Sequence, residues 1–240
     1  MSRHLGGKGA PVLLLHGLAG HTGEWAGTAE WLSVEFAVYA LDCESGADAA
    51  LRAVDEIGAG PVACVGQSLG GRAAIELAAR RPELVRALVV AEADPEGGRE
   101  LAEEVAARVG EAFDRWPEAF ASREEAVEFL GGPSPRAEAW ADGLRERDGR
   151  LWPWFDREAA VDELRAALAR PLWDKWERIA CPALIVRGAE GDLAEATAAR
   201  MARLLPDAAV ATIPGVGHEL HLEAPREWRK ALEAFLRATA

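Results

Sequence analysis

One serine of this chain stands in a pattern that suits a nucleophile. It lies at the centre of Gly66-Gln67-Ser68-Leu69-Gly70, after a short apolar run and before a helix-forming segment. A buried strand that turns sharply into a helix needs small residues on both sides of the turn, and Gly66 and Gly70 supply them. The serine at the apex is then strained, with its hydroxyl at the helix N-terminus, where N–H groups favour negative charge. The pattern predicts a nucleophile elbow, and the alternative is an ordinary turn between two elements.

A base and an acid that suit this serine follow it in the chain. His218 ends a glycine-rich loop near the C-terminus, and Asp192 lies in an earlier loop that also contains glycines. A serine hydroxyl is a poor nucleophile until a base removes its proton, and an imidazole with a pKa of about 6.5 does so near neutral pH. A carboxylate on the other ring nitrogen fixes the tautomer and stabilises the imidazolium. The chain order Ser, Asp, His is the one expected for an elbow of this type.

The identity of the acid has alternatives. Glu190 lies two residues from Asp192, and Glu92 and Asp94 follow a predicted strand whose end lies at the same edge of the sheet. Any of these carboxylates could orient the histidine, because the loops after parallel strands share one edge. We predict Asp192 as the acid.

Two other histidines are expected to lie outside the catalytic machinery. His16, at the end of the first predicted strand, is expected to hold its loop by hydrogen bonds instead of taking part in catalysis. His221 is expected at the surface or at the entry to a helix. Neither position has the loop context of His218.

Short apolar runs and helical patterns alternate along the chain, which predicts an α/β fold with a mostly parallel sheet and helices on both faces. The predicted strands are Val12–Leu15, Phe36–Leu41, the elbow strand from Pro61, Arg86–Ala91, Cys181–Arg187 and Ala209–Ile213. The predicted helices are Ala47–Ile57, Arg72–Arg80, Glu195–Leu205 and Pro225 to the C-terminus. In such a sheet the loops that carry the serine, the aspartate and the histidine meet at the carboxyl edge.

The alternation stops between Arg99 and about Trp176, where the segments read as helical and no buried strand is evident. We predict a helical cap at residues 97–177, inserted into a core formed by residues 1–96 and 178–240. Six tryptophans fall in this region: Trp116, Trp140, Trp152, Trp154, Trp173 and Trp176. They either line the site beneath the cap or pack the cap against the sheet.

Composition limits the partners of this protein. The 240 residues include 27 Lys and Arg against 40 Asp and Glu, a formal net charge of −13, which disfavours nucleic acid and anionic membranes. Cys43, Cys64 and Cys181 lack metal-ligand spacing. A reaction carried by a serine, a histidine and an aspartate needs neither a metal nor a cofactor, and we expect none. Residues 1–11 lack the apolar stretch of a signal peptide, and no apolar run is long enough to span a membrane. A cytoplasmic protein is expected, and its oligomeric state stays open.

Four motifs together resemble the α/β-hydrolase fold superfamily in its capped, single-domain form. They are His16-Gly17-Leu18, Gly66-Gln67-Ser68-Leu69-Gly70-Gly71, Gly188 through Asp192, and Gly215 through His218. The resemblance implies an oxyanion hole formed by the backbone N–H groups of Leu18 and Leu69. These motifs are specific for the fold and say little about the substrate.

Two stretches depart from the pattern of the superfamily. Its members usually open with an antiparallel hairpin, but only about ten residues precede Val12, so this edge is expected to be short or missing. Many relatives also carry a Gly-His-Gly-x-Ser loop, where this chain reads Asp42-Cys43-Glu44-Ser45-Gly46-Ala47. Such trimming would widen the site on one side.

The resemblance predicts a serine hydrolase that cleaves an ester, a thioester or a lactone of a small molecule through an acyl-enzyme. A second interpretation is a lyase, since Ser68 through Arg72 also looks like the pyruvate-eliminating synthase of menaquinone biosynthesis, in which that arginine binds a substrate carboxylate. Arg72 would otherwise be an exposed helix residue. An acyltransferase using the same acyl-enzyme is a third interpretation, and a ligand-binding module without catalysis is the fourth.

Overall fold

The computed structural model describes residues 2–41 and 46–240. Residues 42–45, which include Cys43 and most of the loop on which the second departure rests, lie outside the described residues. The strands of the described part are β1 (Ser2–Gly6), β2 (Pro11–Leu15), β3 (Ala37–Leu41), β4 (Val62–Gln67), β5 (Val85–Ala91), β6 (Arg145–Arg147), β7 (Arg150–Trp152), β8 (Ala183–Gly188) and β9 (Ala208–Ile213). Seven of them form one sheet in the order β1-β3-β2-β4-β5-β8-β9, and β6 and β7 form a separate hairpin.

The central strands are parallel, as the alternation of strands and helices predicts. Val12 of β2 lies opposite both Val38 of β3 and Ala63 of β4, and the parallel pairing continues through β5, β8 and β9. All five residues of β2 are buried, because helices cover both faces of the sheet. The predicted fold class is therefore confirmed.

The N-terminal edge is short but present. Residues Ser2–Gly6 form β1, which pairs antiparallel with β3 and places Ser2 opposite Leu41. The sequence did not predict this strand, because Ser2-Arg3-His4 has no apolar alternation and no residue of the strand is fully buried.

Helices pack on both faces of the sheet. They are α1 (Ala26–Leu32), α2 (Ala47–Ile57), α3 (Leu69–Arg80), α4 (Arg99–Asp114), α5 (Arg123–Phe129), α6 (Pro135–Asp142), α7 (Arg157–Leu168), α8 (Trp173–Trp176), α9 (Glu195–Leu204), α10 (Leu220–Glu223) and α11 (Pro225–Ala238), with 3-10 turns at Thr22–Trp25 and Pro82–Leu84. Leu13 and Leu15 of β2 belong to the core beneath α2, α3, α8 and α9. Val12 and Leu14 belong to the opposite core, beneath α1 and α11.

Residues 97–177, called the insertion below, contain α4 to α8 and a small hairpin. Helix α4 packs against α7, and an aromatic cluster fills the insertion, with Trp116 5.9 Å from Phe120 and 5.8 Å from Trp140 between ring centroids. The exposed hairpin β6–β7 was not predicted. Its signal was Asp148-Gly149, since both residues have positive φ, as a two-residue hairpin turn requires.

Three tryptophans of the insertion show both of the roles considered from the sequence. Trp140 lines a cleft, whereas Trp176 is buried in the core and donates its Nε1–H to the carbonyl oxygen of Met201 at 2.9 Å. The guanidinium of Arg200 lies over the ring of Trp173, with Cζ 3.6 Å from the ring centroid. Lining the cleft therefore applies to Trp140, and packing against the core applies to Trp173 and Trp176.

Arg72 joins the segment just before the insertion to the C-terminal end of α7, and these contacts correct both sequence-based interpretations of this residue. Its side chain is buried, with 5 % of the residue exposed. Nη1 donates to the carbonyl oxygens of Asp94 and Glu96 at 2.7 and 2.6 Å, and Nη2 donates to those of Ala167 and Arg170 at 2.9 and 2.8 Å. Arg72 is neither an exposed helix residue nor free to bind a substrate carboxylate.

Among residues 2–41 and 46–240, every helix is too short or too polar to cross a membrane.

Candidate active site

The turn between β4 and α3 has the geometry that the glycine spacing predicts. Ser68 has φ 53° and ψ −121°, a strained conformation for a residue with a side chain, and its N–H donates to the carbonyl oxygen of Ala91 at 2.9 Å. A Cβ on Gly66 would lie 2.3 Å from the carbonyl oxygen of Gly70, and one on Gly70 would lie 2.2 Å from that of Leu15. No larger residue fits either position without moving the backbone.

The loops after β5, β8 and β9 bring one histidine and two carboxylates together. His218 Nδ1 lies 3.1 Å from Asp192 Oδ2 and 3.6 Å from Glu92 Oε2. The Nδ1 atom makes no well-aligned hydrogen bond with either oxygen, although the shorter distance is that of one. Catalytic hydrogen bonds are often poorly aligned in the absence of substrate and tighten when it binds.

Of the four carboxylates considered from the sequence, Asp192 and Glu92 are those within 4.0 Å of His218 in the described part of the chain. Asp94 Oδ1 instead accepts a hydrogen bond from the N–H of Glu96 at 2.8 Å and lies 4.0 Å from Arg72. Asp192 as the acid stays a prediction, and its distance to the imidazole supports it over Glu190 and Asp94.

Electrostatics favour the charged form of the imidazole. Burial alone lowers the pKa of His218, but the Asp192 carboxylate, with Glu92 and Glu219 nearby, outweighs it and raises this pKa to about 10. The imidazole in turn lowers the pKa of Asp192, chiefly through the close approach of its Nδ1 to the carboxylate. The carboxylates beside the ring therefore favour the imidazolium form, and His218 must lose this proton before it can act as a base.

This shift predicts an alkaline pH profile. Because a general base acts only when neutral, kcat/KM should rise with pH through the raised pKa of His218, with a midpoint well above the ordinary value of about 6.5. Asp192, Glu92 and Glu219 are the groups that raise it, whereas His221, whose pKa burial lowers to about 3, stays neutral throughout. The measurement is kcat/KM for a neutral ester between pH 5 and 11. A midpoint near 6.5 would contradict it.

Glu24 titrates in the same range and needs its own control. Burial, with a smaller effect of Glu219, raises the pKa of Glu24 to about 9. The Glu24→Gln variant lacks this titrating carboxyl. A rise of kcat/KM with pH that persists in the variant therefore reports the titration of His218.

The loop after β2 lies against the serine. A Cβ on Gly17 would lie 2.4 Å from Gln67 Oε1 and 3.1 Å from Ser68 Cβ, so the absence of a side chain permits this approach. Gln67 Nε2 also donates to the carbonyl oxygen of His218 at 3.1 Å and ties the histidine loop to the elbow. Leu18 follows Gly17 and lines the same cleft as Ser68. Leu69 is the first residue of α3, a position whose N–H has no acceptor within the helix.

A cleft of about 540 Å³ lies over the serine and the histidine. The insertion contributes an apolar wall and two arginines, and the core contributes the polar floor. The lining residues from the insertion are Val105, Arg108, Val109, Ala112, Phe113, Arg136, Trp140 and Leu164. Those from the core are Gly17, Leu18, Glu24, Gln67, Ser68, Asp192, Gly217, His218, Glu219 and Glu223.

The sequence did not single out Glu24, Glu219 or the two arginines of this cleft. Glu24 is 5 % exposed, and its Oε1 has no hydrogen-bond partner among the described residues. Burial raises its pKa to about 9, which favours the uncharged carboxyl at neutral pH. Its only sequence signal was a charged residue in the segment after the His16-Gly17 loop, and that signal is weak.

The two histidines outside the predicted triad differ in outcome. His16 is buried, with Nδ1 2.8 Å from the carbonyl oxygen of Gly17, which is compatible with a loop-holding role. His221 was expected at the surface or at the entry to a helix. It is the second residue of α10, so it does lie at a helix entry, but the surface position is wrong. It is 5 % exposed and stacks on Trp25 with ring centroids 4.3 Å apart, because the short helix α10 turns it toward the core.

No group of three or more His, Cys, Asp or Glu side chains in residues 2–41 and 46–240 has an arrangement that could hold a metal ion.

The sequence model of the Alpha/beta hydrolase family matches residues 12–231 of this chain. The chain belongs to the Alpha/beta hydrolase family. It is an enzyme of this fold, as its sequence predicts.

Relatives extend over nearly the whole chain. The pimeloyl-[acyl-carrier protein] methyl ester esterase of Chromobacterium violaceum is 29 % identical, over 98 % of this chain and 97 % of that protein. The 2-(acetamidomethylene)succinate hydrolase of Mesorhizobium japonicum is also 29 % identical, over 97 % of this chain and 90 % of that protein. The crystal structure of an E-2-(acetamidomethylene)succinate hydrolase superposes with a TM-score of 0.85 at 26 % identity, covering 98 % of this chain and 94 % of that one.

Proposed function

We propose that this enzyme is a serine hydrolase that cleaves a carboxylic ester, a thioester or a lactone, with Ser68 as nucleophile, His218 as base and Asp192 as acid. The observation that carries the proposal is the strained elbow serine in one cleft with a histidine whose Nδ1 lies 3.1 Å from a carboxylate. A nucleophile, a base and a group that orients the base are the parts that acyl transfer needs.

The reaction proceeds in two halves. Ser68 Oγ attacks the carbonyl carbon while His218 Nε2 takes its proton, and the N–H groups of Leu18 and Leu69 hold the oxyanion. The tetrahedral intermediate collapses to an acyl-serine as His218 returns the proton to the leaving oxygen or sulfur. Water then attacks the acyl-serine, giving its proton to His218. Collapse releases the acid and restores the Ser68 hydroxyl with that proton.

The cleft favours an acyl group that combines an apolar part with an anionic one. Val105, Val109 and Phe113 of the insertion provide apolar surface, and Arg108 and Arg136 provide positive charge. Guanidinium groups pair well with carboxylates. The name of the Mesorhizobium relative specifies a succinate, a compound with carboxylates. We therefore propose that carboxylate-bearing acyl compounds are better substrates than uncharged ones of equal length.

The first experiment is labelling by a neutral fluorophosphonate, read by intact mass. The wild type should gain one adduct, and Ser68→Ala should gain none. Ser33→Ala, in which the altered serine lies at the end of α1 and outside the cleft, is the matched control and should label like the wild type. A folded wild type that takes up no adduct would overturn the acyl-enzyme mechanism.

Matched esters then test the substrate and the reaction. Chains of equal length that end in a methyl group or in a carboxylate should differ in kcat/KM, and Arg136→Gln should reduce the difference. Product formed on an added alcohol or amine, and not on water, would identify an acyltransferase. The lyase interpretation requires Arg72 to bind a substrate carboxylate. Arg72 is not free to do so, because both of its terminal nitrogens donate to backbone carbonyls.

A further inference from the structure

Glu92 is a buried carboxylate that three backbone N–H groups surround. Its side chain is fully buried. Oε1 accepts from Gly188 at 2.7 Å, and Oε2 accepts from Asp192 at 2.6 Å and from Leu193 at 3.2 Å. An ionised carboxyl offers only acceptors, so three N–H donors match that form. Gly188 is the last residue of β8 and the other two donors lie in the loop that follows it, so Glu92 fixes this loop to the end of the strand.

The position of Glu92 involves a strained backbone conformation and close packing against Gly191. The residue directly follows β5 and has φ 47°, in the left-handed region that disfavours a side chain. A Cβ on Gly191 would lie 2.3 Å from Glu92 Oε2, so the loop closes around the carboxylate only with glycine at that position. Strained residues of this kind concentrate at functional sites.

Glu92 and Asp192 act on the same ring nitrogen from different environments. The side chain of Asp192 is 74 % exposed and that of Glu92 is 0 % exposed, with their oxygens 3.1 and 3.6 Å from His218 Nδ1. Water and salt weaken the field of an exposed charge, whereas a buried charge at a similar distance acts more strongly. The buried carboxylate is therefore placed to stabilise a positive imidazole even though it is the more distant one.

We propose that Glu92 is a positioning residue for His218: it fixes the loop that presents Asp192 and supplies a second, buried negative charge that stabilises the imidazolium. The reaction that this charge serves rests on the proposed function, but the charge interaction itself does not. When Asp192 is replaced, the carboxylate of Glu92 still stabilises the positive charge on the imidazole ring of His218. The site then keeps part of its activity.

The test is a titration of His218 by NMR in the folded wild-type chain and in variants, which needs no activity. In Glu92→Gln the titration midpoint of His218 should fall by about one pH unit or more, a tenfold change in proton affinity. The matched control is Glu195→Gln, which alters an exposed glutamate three residues after Asp192. It should leave the midpoint where it is in the wild type. A folded Glu92→Gln variant with the midpoint of the wild type would overturn the proposal.

A second variant keeps the test decisive if Glu92→Gln does not fold. In Asp192→Asn the midpoint of His218 should remain above the ordinary value of about 6.5, because Glu92 is still present. A midpoint at or below that value would overturn the proposal. On an ester substrate, Asp192→Asn should lose roughly 10²-fold in kcat, compared with about 10⁴-fold where one carboxylate serves alone. An inactive wild type with these midpoints would reject the proposed function and keep the role of Glu92.

Discussion

Replacing His218 by alanine is expected to lower kcat for ester hydrolysis by roughly 10⁴- to 10⁶-fold. The imidazole takes the proton of Ser68, returns it to the leaving group and activates water, so its loss removes the base from both halves of the reaction. Neither Asp192 nor Glu92 replaces it, because both lie on its Nδ1 side, away from the ring nitrogen that faces the serine in the proposed mechanism. The measurement is kcat with a saturating ester, together with the rate of fluorophosphonate labelling.

The control for this prediction is His4→Ala. His4 is exposed on the edge strand β1, where its ring lies 4.8 Å from that of Tyr39, and it does not line the cleft. Its loss should change kcat by less than about twofold. If His218→Ala retained more than a tenth of the wild-type kcat while remaining folded, His218 would not be the base.

The elbow was predictable from sequence because its constraints are local. Gly66 and Gly70 are required by contacts with backbone atoms, at 2.3 and 2.2 Å from the positions of their missing side chains, and such requirements appear directly as residue types. Strand β2 could also be predicted, because a strand that is covered on both faces appears in the sequence as a continuous apolar run.

The acid site and the role of Arg72 depend on contacts between distant parts of the chain. Glu92 lies 96 residues before Gly188, to which it is hydrogen-bonded, and nothing near either residue in sequence announces the contact. Arg72 was read as a surface residue or a substrate ligand because arginines are rarely fully buried. Its carbonyl partners leave no side-chain signature, since any residue type supplies a backbone oxygen.

His221 shows how one short element changes a prediction. The sequence predicts His221 at the surface or at the entry to a helix. The helix entry is where it lies, but α10 is a single turn whose residues Leu220, His221 and Leu222 are all buried. The ring of His221 stacks on Trp25, a contact between segments nearly 200 positions apart that periodicity cannot reveal.

Replacing Arg72 by methionine is expected to lower the free energy of unfolding by about 3 kcal/mol, the second large effect that we predict. The substitution leaves four carbonyl oxygens near a buried position without their donor, and each unpaired buried acceptor costs roughly 1 kcal/mol or more. Water entering the site would recover part of this cost. Urea denaturation followed by tryptophan fluorescence measures the change. Activity should fall as well, because the insertion that Arg72 holds forms one wall of the cleft.

Arg80→Met on the same helix is the matched control for this prediction. Arg80 lies 2.8 Å from Asp48, but their side chains are 45 % and 74 % exposed, and an ion pair of this kind contributes less than about 1 kcal/mol. The two variants remove the same charge and differ in what surrounds it. Arg72→Lys should fall between them, because one ammonium offers three donors to the four carbonyls. If Arg72→Met destabilised the protein no more than Arg80→Met, the four hydrogen bonds would not be what joins the insertion to the core.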